Sequence, residues 1–311
     1  MTRRAKGWLS GIVTVVAVVL GFHFLFPLQE MRFARGLERK AAHLEEKSIE
    51  VNGLHVAYLE GGKGPPLVLV HGFGADKDNW VRVSKHLTDS YHVVAPDLPG
   101  FGDSSKPVDA RYRIDDSVER LHAIVGAMGL THFDLGGNSM GGCISATYAA
   151  KYPNDVASLW LLDPGCVATA EPSDMAKAII AGAPVPLLAR DEAEFDALIG
   201  WVFHTPPFIP HAYKKVLAAR GAANYELHSR IFREIRGEYV PLEQLVKGLP
   251  IPTRIVWGAD DRVLHPSGAK VLASLLPQSS VTLMPGVGHL PMLEQPKATA
   301  EDYRAFRATL R

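Results

Sequence analysis

Cysteine is scarce in this chain, and neither sign of charge is in excess. The two cysteines, Cys143 and Cys166, are too few for the disulfide framework of a small secreted domain and lack the spacing of metal ligands. Basic and acidic residues number 33 each, so the formal net charge is zero. We therefore expect no general attraction to nucleic acid, and we interpret Cys143 as a small, buried, apolar side chain.

Cofactor motifs are missing as well. No G-x-G-x-x-G follows a predicted strand, no Walker sequence occurs, and no group of histidine, cysteine and carboxylate residues has the spacing of a zinc site. The chain has 311 residues, of which 47% are hydrophobic, and this is enough to bury a sizeable core. We expect a folded protein whose chemistry needs no cofactor and no metal.

One pentapeptide does carry chemistry. Residues 137–141 read G-N-S-M-G and lie between an apolar, strand-like segment and an alanine-rich, helical one. A G-x-S-x-G at such a junction is typical of a nucleophile elbow, a tight turn that exposes the serine hydroxyl. Glycine is needed on both sides because the turn brings neighbouring backbone against those positions. The pattern predicts that Ser139 is a nucleophile.

A serine nucleophile needs a base and an acid, and both follow later strands. His289 comes shortly after the predicted strand 280–284, and Asp260 and Asp261 come after the predicted strand 253–257. Adjacent side chains in a tight loop point in different directions, so only one aspartate should reach the histidine. We predict His289 as base and Asp261 as acid, with Asp260 as the alternative.

A third aspartate also follows a predicted strand. Asp163 comes directly after residues 158–162 and is a third possible acid, although we favour its interpretation as a turn or cap residue. The oxyanion that forms during acyl transfer needs backbone N–H donors. We assign these donors to Met140, which follows the nucleophile, and to Phe73, which lies in a glycine-rich loop after an early strand. His71 is expected to brace this loop by hydrogen bonding.

These segments resemble a known family. Residues 71–80 (HGFGADKDNW), 97–105 (DLPGFGDSS) and 137–142 (GNSMGG) resemble the motifs of bacterial family V lipases and esterases. They are also similar to the membrane-anchored monoacylglycerol lipases of animals, in which an Asp three residues after a Trp-Gly pair matches Asp261. The resemblance covers residues 50–311 and is weak between 170 and 245. It implies a serine carboxylic-ester hydrolase of the α/β-hydrolase fold.

The order of predicted elements agrees with an α/β class protein. Strands and helices alternate, which favours a mostly parallel, eight-stranded sheet flanked by helices, and Asn52-Gly53 is typical of a hairpin turn. We assign residues 49–166 and 250–311 to the α/β-hydrolase core. Residues 167–249 are predicted to be an inserted helical cap over the elbow.

The first 48 residues predict attachment to a membrane. Trp8 to Phe26 is long and apolar enough to span a bilayer, so residues 1–27 are expected to be a single-pass anchor, with a cleaved signal peptide as the alternative. Flanking basic residues do not determine the side of the membrane. Residues 28–48 are predicted to be an amphipathic linker helix, on the membrane surface or, less favoured, packed against the core.

Together these features predict a membrane-anchored hydrolase of lipid esters, most readily acylglycerols or monoacylglycerols, that works through an acyl-enzyme. The alternatives are a carbon–carbon bond hydrolase, a thioesterase, an acyltransferase and a catalytically idle membrane-bound scaffold. Some apolar cap residues are expected to line an acyl-chain pocket. The candidates are Ile179, Ile180, Leu187, Leu188, Phe195, Leu198, Ile199, Trp201, Val202, Phe203, Phe208 and Ile209.

Overall fold

The predicted strands assemble into one sheet. The computed structural model describes residues 25–237 and 239–310. The strands run in the order β1-β2-β4-β3-β5-β6-β7-β8; only the β1–β2 and β2–β4 pairs are antiparallel. Their bounds are β1 (Leu44–Val51), β2 (Leu54–Gly61), β3 (Pro66–Val70), β4 (His92–Pro96), β5 (Phe133–Asn138), β6 (Val156–Leu162), β7 (Thr253–Gly258) and β8 (Ser279–Met284). The predicted mostly parallel, eight-stranded sheet is confirmed.

Helices cover the sheet and fill the connections between strands. They are α1 (Pro27–Ala41), α2 (Val81–Ser84), α3 (Ile114–Ala127), α4 (Met140–Lys151), α5 (Asp174–Ile180), α6 (Glu192–Val202), α7 (His211–Ala223), α8 (Tyr225–Gly237), α9 (Leu242–Leu245), α10 (Ser267–Leu275), α11 (Pro291–Glu294) and α12 (Pro296–Ala308). Two short 3₁₀ turns cover Lys77–Trp80 and Pro153–Asp155.

The core has two layers because side chains alternate along each strand. On β3, Val68 and Val70 pack with α3, α4 and α10, whereas Leu67 and Leu69 pack with α2 and α12 on the opposite face. Helix α4 is enclosed on all sides, since every residue from Met140 to Ala149 is buried. The predicted elbow helix therefore lies in the interior of the protein.

The predicted hairpin turns where expected. Asn52 and Gly53 both have positive φ, 52° and 76°, as a two-residue type I′ turn requires. The described residues between β6 and β7 contain helices α5 to α9 and no strand.

The linker helix is shorter than predicted. Helix α1 ends at Ala41, and residues 44–48, which we assigned to it, belong to β1. Their backbone pairs with β2 along the whole strand, and this pairing overrides their preference for a helix. The helix packs on the core, the arrangement that we disfavoured: Arg39 bonds Asp78 at 2.6 and 2.8 Å. Phe33 and Leu37 remain exposed.

Most of the predicted anchor, residues 1–27, lies outside the described residues. Within residues 25–237 and 239–310, no helix combines the length and the apolar character needed to cross a bilayer.

Cys143 is buried as expected, but it is not simply an apolar side chain, because it forms a disulfide with Cys166. Cys143 lies in the first turn of α4, and Cys166 lies in the loop that leaves β6. The Cα atoms are 5.6 Å apart although the residues are separated by 23 positions. Adjacent parallel strands β5 and β6 bring the two together, and spacing alone does not reveal this.

The disulfide should contribute measurably to stability. Crosslinking a loop of this length lowers the entropy of the unfolded chain, an effect of about 3 kcal/mol. We expect the Cys143→Ser/Cys166→Ser variant to lose about that much free energy of unfolding in urea titrations at pH 7, and the oxidised protein to lose as much on reduction. Equal stability of the oxidised and reduced protein would contradict the pairing.

Candidate active site

Ser139 occupies the strained turn predicted for a nucleophile. Its φ is 57° and its ψ is −120°, a conformation that residues other than glycine rarely adopt. Both flanking glycines are required sterically. A Cβ on Gly137 would lie 2.2 Å from the carbonyl oxygen of Gly141, and a Cβ on Gly141 would lie 2.1 Å from that of Val70. The elbow is therefore pressed against the end of β3.

His289 and Asp261 meet in the interior. Nδ1 of His289 is 2.8 Å from Oδ2 of Asp261, and both residues are buried. The carboxylate also accepts hydrogen bonds from Trp257 Nε1 at 3.1 Å and from the N–H groups of Val263 and Leu264 at 2.8 and 3.1 Å. Four donors thus surround this carboxylate and fix its orientation toward His289.

Asp260 faces away from the histidine. Its Oδ2 accepts a hydrogen bond from the backbone N–H of Gly286 at 2.9 Å and lies 3.7 Å from Nδ1 of His204. The geometry therefore places Asp261, and not Asp260, against His289.

The loop of His289 is fixed from two sides. Its backbone N–H donates to Val202 O in α6 at 2.9 Å, and its carbonyl accepts from Asn138 Nδ2 at 3.1 Å. Asn138, the residue before the nucleophile, thus joins the elbow to the histidine loop. The G-x-S-x-G pattern treats this position as variable and therefore gives no sign of this role. Ser139 and His289 line the same cavity.

The loop after β3 lies beside the elbow. A Cβ on Gly72 would stand 3.2 Å from both Asn138 Oδ1 and Ser139 Cβ. His71 braces the loop as predicted: Nδ1 is 2.8 Å from Gly72 O, and Nε2 accepts from the N–H of Leu98 at 3.0 Å. Burial lowers the pKa of His71, so that it stays neutral and can make both bonds.

The two predicted oxyanion donors belong to the two segments that meet at Gly72, the loop after β3 and the elbow. Phe73 is in the braced loop, and Met140 is the first residue of α4. In the described part of the chain, neither N–H has a hydrogen-bond acceptor. Both are therefore free to bind a ligand oxygen.

A buried ion pair supports the same loop. Lys77 is fully enclosed, and its Nζ lies 2.8 Å from Asp97 and 2.6 Å from Asp103. Burial alone would lower the pKa of Lys77, but the two carboxylates outweigh it and raise that pKa above its usual value. This ion pair joins residues 71–80 to residues 97–105. Both segments carry motifs of the family, but the motifs do not reveal this contact.

The cavity above Ser139 has a volume of about 400 Å³. Four lysine and arginine residues, Arg35, Arg82, Lys106 and Arg220, lie along its wall. Nine of the twelve candidate cap residues line it: Leu187, Leu188, Phe195, Leu198, Ile199, Val202, Phe203, Phe208 and Ile209. The other three do not. Ile179 and Trp201 pack in a cap cluster, and Ile180 is exposed.

Asp163 does not behave as the turn or cap residue that we expected. Its side chain is fully buried, and its Oδ1 accepts a hydrogen bond from the N–H of Gly258 at 2.8 Å. One oxygen each of Asp163 and Asp261 and one ring nitrogen of His289 lie within 4.8 Å of one another.

The chain is similar to known proteins over most of its length. The family model described as alpha/beta hydrolase fold matches residues 65–296. The chain belongs to that family. It is 40% identical to Lipase 1 of Psychrobacter immobilis over 279 residues, which cover 88% of this chain and 87% of that protein. It is 28% identical to monoacylglycerol lipase ABHD6 of Homo sapiens, with 96% and 92% covered.

A solved structure is similar over almost the whole chain. It is a membrane phospholipase A described as a bacterial virulence factor, 42% identical, with a TM-score of 0.90 and coverage of 98% of this chain and 99% of that one. With the lipase relatives, this similarity shows that the α/β-hydrolase chain is an ester-hydrolysing enzyme. The idle-scaffold alternative is therefore not retained.

The two adjacent aspartates can be distinguished by substitution. We expect Asp261→Asn to lower kcat on a p-nitrophenyl ester by at least about 100-fold, because the acid orients the base and stabilises its protonated form. Asp260→Asn is the matched control, since an amide oxygen can still accept from Gly286 N–H, and it should change kcat by less than about threefold. A greater loss at Asp260 would overturn the assignment.

Proposed function

We propose that this enzyme hydrolyses lipid esters through a Ser139–His289–Asp261 triad and an acyl-enzyme. The observation that carries the proposal is the 2.8 Å contact between His289 and Asp261 beneath a cavity that also contains Ser139 and is lined by apolar cap residues. Hydrogen bonding of Nδ1–H to Asp261 leaves Nε2 of His289 as the proton acceptor.

In the first half-reaction, Ser139 Oγ attacks the ester carbonyl while Nε2 of His289 takes the hydroxyl proton. The N–H groups of Phe73 and Met140 donate to the resulting oxyanion. When the carbon–oxygen bond to the alcohol breaks, His289 returns the proton to the leaving oxygen. Water then attacks the acyl-enzyme with His289 as base, and the fatty acid and free Ser139 are formed.

The cap supports a substrate with an acyl chain. We propose that residues 167–249 form a lid whose apolar side chains hold the chain, because each buried methylene contributes about 0.8 kcal/mol. Acylglycerols and monoacylglycerols fit such a pocket, and relatives that carry the name monoacylglycerol lipase support this substrate class.

Phospholipids are a second candidate substrate, favoured by a cationic group in the cavity wall. Lys106 donates to the carbonyls of Gly102 and Ser104 at 2.6 and 3.3 Å, and no carboxylate within the described residues forms a salt bridge with it. A cation placed this way can bind a phosphate oxygen. The similar phospholipase A structure supports the same candidate.

We further propose that residues 1–27 anchor the enzyme in a membrane and that the catalytic core lies on its oxidising side. The relatives include a membrane phospholipase, and disulfides such as Cys143–Cys166 persist in oxidising compartments. Alkylation of both cysteines in rapidly acid-quenched cells, without prior reduction, would place the core in a reducing compartment instead.

The first test of the mechanism replaces the nucleophile. Ser139→Ala should lower kcat by on the order of 10⁴-fold or more on p-nitrophenyl esters and monoacylglycerols of graded chain length, and it should abolish labelling by a fluorophosphonate probe. Wild-type kcat/KM should rise with chain length until the cavity is full. Retained esterase activity in Ser139→Ala would refute the triad.

A second test separates the two substrate classes. If Lys106 binds a phosphate group, Lys106→Gln should lower kcat/KM on phosphatidylcholine vesicles by about tenfold, the usual scale for loss of one charge-assisted hydrogen bond, and leave monoacylglycerol hydrolysis unchanged. The matched control is Lys270→Gln, an exposed lysine on α10 outside the cavity lining. Equal losses on both substrates would eliminate the phosphate role.

A further inference from the structure

The second buried carboxyl group of the site, Asp163, has no part in the mechanism above. It follows β6, as the nucleophile follows β5 and Asp261 follows β7. Its backbone adopts a positive φ of 44°, which is unfavourable for a residue with a Cβ, and its N–H donates to Val256 O at 2.9 Å. The strained turn keeps the side chain inside the protein, where it is fully buried.

The hydrogen bonds of the two aspartates are unequal. Asp261 accepts four, from His289, Trp257, Val263 and Leu264. Asp163 accepts one, from Gly258 through Oδ1. Its Oδ2 is buried with no hydrogen-bond partner among the described residues.

Two negative charges are not stable this close together in a buried site. Asp163 and Asp261 each place an oxygen within 4.8 Å of the other and of a nitrogen of His289. Asp261 meets four hydrogen-bond donors and Asp163 meets one, so a proton shared by the two carboxyl groups belongs on Asp163. Burial, the charge of Asp261 and, more weakly, that of Glu294 all raise the pKa of Asp163 well above its usual value, while the bond from Gly258 opposes them.

We propose that Asp163 is a positioning residue of the triad and is protonated in the wild-type enzyme. The site then holds one negative charge next to His289, and Asp163 becomes the carboxylate that orients His289 when Asp261 is neutralised. This inference rests on the proposed triad, since Asp163 acts through His289. In wild type its carboxyl group is protonated and lies within 4.8 Å of both Asp261 and His289. When the negative charge of Asp261 is removed, Asp163 ionises, and one charge again faces His289.

The charge state is tested without measuring activity. With the aspartate carboxyl carbons labelled by ¹³C, NMR of the wild-type enzyme at pH 7 should show one buried carboxyl group that remains protonated and disappears in Asp163→Asn. Asparagine can still accept from Gly258 N–H, so the fold should persist. Absence of any protonated aspartate at pH 7 in wild type would overturn the proposal even if the variant failed to fold.

Stability against pH gives a second readout of the same proton. In the unfolded chain Asp163 ionises near pH 4, whereas in the native state it stays protonated, so unfolding releases a proton above that pH. Relative to Asp163→Asn, the wild-type unfolding equilibrium constant should increase by about tenfold per pH unit between pH 5 and 7. Asp261, His289 and Glu294 face position 163 in both proteins, so their contributions to the pH dependence of unfolding largely cancel in the comparison. A pH-independent difference would contradict a raised pKa.

The reserve role is tested by a double-mutant cycle. Asp163→Asn alone should lower kcat/KM by less than about threefold. It should leave the midpoint of the acid limb in the pH profile of kcat/KM unchanged. In the Asp261→Ala background, where the small side chain leaves room for Asp163, the same substitution should lower the residual kcat/KM by at least tenfold. Equal factors in both backgrounds would indicate a structural role only and refute the reserve acid.

These outcomes are distinguishable from failure of the proposed function. If Ser139→Ala kept full activity, the triad mechanism would fall, but the proton count on Asp163 would be unaffected. If Asp163 proved ionised at pH 7, or if Asp163→Asn shifted the acid limb to lower pH as loss of a nearby negative charge does, the inference would fall and the triad would stand.

Discussion

The site depends on parallel strands whose carboxyl ends meet at one edge of the sheet. Hydrogen bonding between neighbours continues past the strand ends: Ser139 N–H donates to Leu162 O at 3.0 Å, and Asp163 N–H donates to Val256 O at 2.9 Å. These bonds fix the first residue after each strand relative to the next strand. Functional side chains far apart in sequence are therefore held by backbone geometry rather than by their own flexible contacts.

The electrostatics of the site follow from the number of donors that each carboxyl group meets. Among the described residues, Asp261 meets four donors, whereas Asp163 meets the N–H of Gly258 alone. The proposed difference in protonation between the two carboxyl groups thus follows from the different number of donors around each. The indole of Trp257 contributes to this difference, and a strand residue of the sheet thereby supports the acid.

The sequence allowed prediction of the features that depend on local patterns: strand alternation, the elbow around Ser139 and the loops that carry His289 and Asp261. Contacts made only by the folded chain could not be predicted in the same way. Cys143 meets Cys166 because β5 and β6 are neighbours, and Lys77 is buried because two loops enclose it. Helix α1 ends early because pairing with β2 extends residues 44–48.

Charge at the cavity entrance bears on which lipid the enzyme can accept. Arg220 of α7 bonds Asp76 at 3.0 Å, and Arg35 of α1 lies 3.5 Å from the same carboxylate. Both arginines are thus neutralised by the loop that carries Phe73. Lys106 has carbonyl partners but no salt bridge within the described residues, and burial, followed by the charge of Arg220, lowers its pKa. The phosphate of a phospholipid headgroup would offset the repulsion between Lys106 and Arg220, whereas a neutral glycerol would not. Lys106 is therefore the residue that should distinguish phospholipid from acylglycerol substrates.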